Sequence, residues 1–177
     1  MSEEAGWKLW NEHKSEIDYV VVNPLLVFGP PLTSQLNASQ GNLFVKMLTG
    51  EMKTIQPGSF GVTDVRDVAE AHILALENPK AVGRRQDFNS LIFPTILFRL
   101  FSYSGNSSWK ALAREMKRQF PEYPITVVED DESANWTMDT KLFAEMGKKD
   151  WISFEQMVKD TVEGLIKVGA VPDLRKQ

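Results

Sequence analysis

Apolar and polar positions alternate between two kinds of pattern along this chain. Residues 18–23, Asp-Tyr-Val-Val-Val-Asn, form an unbroken β-branched run. Such a run predicts a strand buried on both faces, as in a parallel sheet. Asn23-Pro24 ends it, because proline cannot donate to a ladder. Residues 25–28 continue apolar to a firm stop at Gly29-Pro30-Pro31, and 32–41 read as a polar loop. A helical period then takes over. Val65, Val68, Ala69, His72, Ile73 and Leu76 recur on one stripe, which predicts a helix packed on the core. Asp64 sits at its N-cap with Asp67 three residues on as a capping-box-like partner, and Asn78-Pro79 closes it.

Two more helices carry the same signature. One starts at Ser107 or Ser108, turns Trp109, Leu112, Ala113, Met116 and Phe120 to one side, and stops at Pro121. The other starts at Ser153 with Gln156 as its capping partner and buries Phe154, Met157, Val158, Val162 and Leu165. Shorter helices are predicted over 2–14, over 42–48 with Gly50 as carboxyl cap, and over 139–146 ended by Gly147. A short strand is predicted over 125–128. Strands alternating with helices make this an α/β protein.

Composition narrows the chemistry. The 177 residues contain no cysteine and two histidines, which leaves no material for a thiolate site and little for a metal centre. His72 reads as a hydrogen-bonded structural histidine. A net charge of −4 gives no basic footprint for nucleic acid. The longest apolar stretches, 19–29 and 91–98, are interrupted by proline and fall short of the roughly 20 residues of a membrane span. Met1-Ser2-Glu3-Glu4 lacks an apolar secretory core, so the expected compartment is the cytoplasm. The acidic run 129–132 reads as a solvated loop rather than a cation site, and Lys148-Lys149-Asp150 as surface.

No single motif is decisive, and no G-x-G-x-x-G or P-loop is present. Their order says more. Asn23-Pro24-Leu-Leu-Val-Phe-Gly29-Pro30, then Leu36-Asn-Ala-Ser39, then Gly61-Val-Thr-Asp64-Val-Arg-Asp67-Val-Ala69-Glu-Ala-His72, then Gly83-Arg84, closely resembles the carboxyl-terminal half of extended short-chain dehydrogenases/reductases. The subgroup it is most similar to is the dihydroflavonol, cinnamoyl-CoA and methylglyoxal reductases. Ser107-Ser-Trp-Lys-Ala-Leu-Ala, Gln119-Phe-Pro121 and Asp139-Thr-Lys-Leu follow in the family's order. The resemblance implies the later strands of a Rossmann-type NAD(P)-binding fold plus the small substrate-binding domain, read as one truncated unit over 1–177. It implies NADP(H)-dependent reduction of a small aldehyde or ketone.

The same resemblance assigns site residues. Pro24, Leu25, Leu26 and Val27 are expected to pass the nicotinamide end of the cofactor, and Ser39 to contact it as well. Asp64, Arg66 and Asp67 are expected to act as cap and scaffold, and no residue here is expected to be catalytic or to bind metal. The family's glycine-rich loop and Tyr-x-x-x-Lys pair have no match: Tyr19, Tyr103 and Tyr123 are each without a lysine four residues on. By alignment to the family, that lysine falls just before Met1. This chain alone is therefore expected to be inactive and to bind NADP(H) weakly or not at all. Joining Gly83-Arg84 to Leu100-Phe101 restores the family-like reading, so 85–99 is expected to be an insertion, with a genuine lid or interface segment as the alternative. The rival functional readings are a nucleotide-sugar epimerase or dehydratase of the same superfamily, and a non-catalytic binding or regulatory module on this scaffold.

Overall fold

The computed structural model describes residues 2–13, 15–36, 43–81, 100–102, 105–128 and 140–176. It begins with helix α1 (Ser2–His13), followed by two short strands, β1 (Val22–Pro24) and β2 (Leu26–Phe28). The two strands enter different ladders. β1 pairs in parallel with β4 (Leu100–Ser102), placing Asn23 opposite Phe101. β2 pairs in parallel with β3 (Ser59–Asp64), and β3 pairs antiparallel with β5 (Gly105–Ser108).

The run 18–23 is thus a shorter and wetter strand than its composition predicts. Ladder pairing begins only at Val22, and residues 19–23 are half-buried. Burial on both faces needs a layer packed on each. Val20 and Val22 pack only partly buried against the cluster of Ala71, Ala75, Phe143 and Met146, and in the plane of its sheet β1 has β4 alone among the described residues. Pro24 is the last residue of this ladder rather than lying beyond it. β3, the longest strand among the described residues, is not among the predicted elements; Phe60 to Asp64 are all buried there. The predicted strand over 125–128 does not form. Ile125 instead donates its N–H to Tyr123 O at 2.8 Å, and no ladder reaches it.

Helix α3 (Val65–Glu77) starts where the sequence puts it, with the Asp64 side chain accepting from Arg66 N. Its apolar stripe, however, faces outward. Ile73 is 54% and Leu76 87% exposed, whereas Asp67, Ala71 and Ala75 are buried. The small alanines let the helix approach a cluster of Phe143, Met146, Trp151, Val20 and Val22. Large side chains on that face would hold it off.

The main core lies between α4 (Trp109–Gln119), α6 (Phe154–Lys167) and the three-stranded sheet. Ser108 and Ser153 cap the two helices, accepting from Ala111 N and Gln156 N. Leu112 and Met116 of α4 join Met157, Val158, Val162 and Leu165 of α6 in one fully buried cluster. Phe28 meets Phe44 edge-on at 4.9 Å and Phe60 at 6.0 Å, which fastens the sheet to this core. The remaining helices are α2 (Lys46–Leu48), preceded by a π turn over 43–45, and α5 (Lys141–Glu145). Gly50, at φ +69°, closes α2 as expected. Among the described residues, no helix is long and apolar enough to cross a membrane.

Candidate functional site

The chain changes sheets between Pro24 and Leu26. Pro24 closes one parallel ladder, Leu25 belongs to neither, and Leu26 opens the other. β2 is the edge strand of its sheet, so its outer backbone groups have no ladder partner among the described residues. The carboxyl ends of parallel strands, here the Pro24 end of β1, are where α/β proteins receive ligands. Pro24 is exposed, Leu25, Leu26 and Val27 are half-buried, and Phe28 and Gly29 are buried. All four residues expected to face the cofactor therefore lie together along one rim. Ser39 lies outside the described residues.

The far end of this rim is held firmly. Gly29 adopts φ +131°, a conformation that favours glycine. A Cβ there would meet Val65 Cγ1 at 2.6 Å. Its N–H donates to Thr161 Oγ1 of α6 at 2.9 Å. The near end carries a polar atom that sequence reasoning did not single out: Asn23 Nδ2 is buried and finds no hydrogen-bond partner among the described residues. A carboxamide-bearing ligand offers the acceptor such a donor lacks, so the rim fits a nicotinamide in chemistry.

Asp64, Arg66 and Asp67 behave as scaffold. Arg66 Nε and Nη2 donate to the two carboxylate oxygens of fully buried Asp64, each at 2.8 Å, and Nη2 also reaches Asp160 of α6 at 2.7 Å. The Asp64 hydrogen bond, followed by Asp160, holds the guanidinium charged well beyond its ordinary range, against a counteracting contribution from burial. Asp67 corrects two expectations at once. Its carboxylate does not close a capping box on the N-cap; it accepts from Ile152 N at 3.0 Å and pairs with Lys148 at 2.7 Å. Lys148, read from sequence as surface, is buried.

The described titratable groups do not assemble acid–base machinery at the rim. His72 is exposed, and its Nδ1 contacts Val68 O at 2.8 Å, the structural role anticipated for it. The Tyr123 hydroxyl donates to Pro172 O at 2.5 Å, and burial pushes its ionisation up. Among the described residues no group of three His, Cys, Asp or Glu side chains gathers to hold a metal.

No protein-family model matches the chain. Cinnamoyl-CoA reductase 1 of Arabidopsis thaliana is 34% identical over 173 residues, which cover 96% of this chain and 45% of that protein. Cinnamoyl-CoA reductase 2 of the same plant is 31% identical over 175 residues, covering 97% of this chain and 47% of its own. The chain thus spans about half the length of the curated relatives it matches. Yeast methylglyoxal/isovaleraldehyde reductase, solved with NADPH, superposes with a TM-score of 0.73 at 21% identity, over 96% of this chain and 54% of that one. Gre2 of Candida albicans, also with NADPH, gives 0.68 at 26% identity over 90% and 48%.

Proposed function

The chain belongs to the extended short-chain dehydrogenase/reductase family, and from that premise we propose that it is the nicotinamide-facing part of an NADP(H)-dependent reductase of aldehydes or ketones. The observation that carries this reading is the sheet change at residues 24–26. It ends one strand at Pro24 and opens an edge strand at Leu26, and next to Pro24 the buried Asn23 Nδ2 has no hydrogen-bond partner among the described residues. In the proposal, Pro24, Leu25, Leu26 and Val27 form the wall against which the nicotinamide lies. The half-buried side chains of Leu25, Leu26 and Val27 exclude water from one ring face, and outer backbone groups of β2 meet the carboxamide. Ser39 is proposed as a further contact on the strength of the family resemblance. NADP(H), when bound, supplies the hydride; the chain's own residues here orient and desolvate.

The 177-residue polypeptide carries no Tyr-x-x-x-Lys pair, and none of its described groups is placed to protonate a carbonyl oxygen at this rim. General acid catalysis alone is worth roughly 10²–10⁴-fold. We therefore expect this polypeptide to show no NADPH-dependent reduction of cinnamoyl-CoA or methylglyoxal, and to bind NADPH no tighter than about millimolar, near 4 kcal/mol. Saturation-transfer NMR with NADPH tests both the site and its strength. Enhancement concentrated on the nicotinamide protons, at millimolar cofactor, is the expected result. Enhancement on the adenine protons alone, micromolar affinity, or sustained turnover free of contaminating reductases would sink the proposal.

A further inference from the structure

We propose that Thr161 is a positioning residue, setting the backbone of the cofactor-facing segment 24–29 from α6 through the amide of Gly29; this rests on the nicotinamide-facing reading above. Thr161 is fully buried, and 132 residues separate it from Gly29. Its hydroxyl hydrogen goes to Met157 O at 2.7 Å, one helical turn back, so a lone pair remains to accept the Gly29 N–H.

Its neighbours on α6 work on the same stretch of chain. Gly164 lies directly under Pro30 and Pro31. A Cβ at 164 would come within 2.7 Å of Pro31 Cδ and 2.9 Å of Pro30 Cα. Asp160 grips Arg66, which in turn grips Asp64. The Asp64 carboxylate and Val65 close the space beside Gly29, where an added Cβ would meet Asp64 Oδ1 at 3.3 Å. A hydrogen bond, a steric floor and an ion pair thus converge from one turn of helix on the exit of a three-residue edge strand.

The core does not need this arrangement. Met157, Val158, Val162 and Leu165 supply the apolar contacts of α6. Valine at 161 would fill the same volume, and alanine at 164 would suit the helix better but for Pro30 and Pro31 above it. A hydroxyl at 161 and a bare glycine at 164 instead meet the needs of the Gly29–Pro31 turn. Because β2 has a ladder on one side only among the described residues, its placement depends on this anchor more than a central strand's would.

The test uses Thr161→Val and Thr161→Ser in the 177-residue chain, with NADPH as the probe. Amide exchange of Gly29, the nicotinamide saturation-transfer signal and thermal unfolding are read together. Thr161→Val is expected to speed Gly29 exchange by about fivefold to tenfold, the worth of one hydrogen bond, and to weaken the nicotinamide signal in a protein that still unfolds cooperatively. Thr161→Ser, which keeps the hydroxyl, is expected to restore both. Gly164→Ala gives a second reading should Thr161→Val not fold: it displaces Pro30 and Pro31 with the hydroxyl intact, and the nicotinamide signal is expected to fall. A signal unchanged in folded Thr161→Val or Gly164→Ala overturns the positioning role alone. No nicotinamide signal from the wild-type chain overturns the cofactor-facing reading, and the positioning role with it.

Discussion

Lys148 Nζ lies 2.7 Å from Asp67 Oδ1, and both side chains are only 3% exposed. The ammonium also donates to Glu70 Oε2 at 2.7 Å and to Asp150 O at 2.5 Å, and sits 4.9 Å from the centre of the Trp151 ring. The other Asp67 oxygen accepts from Ile152 N. One lysine therefore ties the buried face of α3 to the segment 148–152, which leads into α6.

Removing that lysine leaves a buried carboxylate short of its partner. We expect Lys148→Met to destabilise the protein by about 3–5 kcal/mol, the usual penalty for breaking a buried pair from one side. Chemical denaturation reads it as a lower midpoint at unchanged slope. A loss under about 1 kcal/mol would mean that Asp67 is satisfied without Lys148.

The same pair sets a pH dependence. Burial works to lower the Lys148 ionisation, but the hydrogen bonds it donates to Asp67 and Glu70 outweigh it and hold the ammonium above the ordinary lysine range. A group raised on folding contributes fully below its unfolded value and loses that contribution as pH climbs through the folded one. The stability gap between wild type and Lys148→Met is thus expected to stay level from pH 7 to about 9.5, then narrow beyond about 10.4. Urea titrations across that range check it, and a gap that widens at high pH contradicts it.

Gly29→Ala tests the turn at the end of β2. The left-handed φ and the Val65 contact at 2.6 Å both oppose a Cβ. The expected loss is about 1–3 kcal/mol, seen as a lower thermal midpoint. A neutral result would show that the turn relaxes freely.

Leu76→Lys and Ala75→Leu form a matched pair on α3. Leu76 is 87% exposed and Ala75 4%. The first change is expected to alter stability by less than about 0.5 kcal/mol. The second overfills a tight helix contact and is expected to cost about 1–3 kcal/mol. Reversed magnitudes in thermal unfolding would mean the apolar stripe does face inward.

Local chemistry was legible in the sequence by itself. The Asp64, Ser108 and Ser153 caps are each completed within three residues of chain, so the helix starts follow from short-range hydrogen bonding. Gly50 and Gly29 mark turns for the same local reason, and the ordered motifs around residues 23–30 and 61–72 carried the family. Long-range geometry was not legible. α3 offers an apolar stripe and an alanine face with equal periodicity, and only the space beside Phe143 and Met146 decided which turned inward. Asp67 faced a choice between a cap and a lysine 81 residues away. β3 formed and 125–128 did not because a strand exists only where a distant partner completes its ladder. The anchoring of Gly29 by Thr161 has the same origin: buried donors must be satisfied, but which acceptor satisfies them is settled by how the helices pack on the sheet, information that no local stretch of sequence contains.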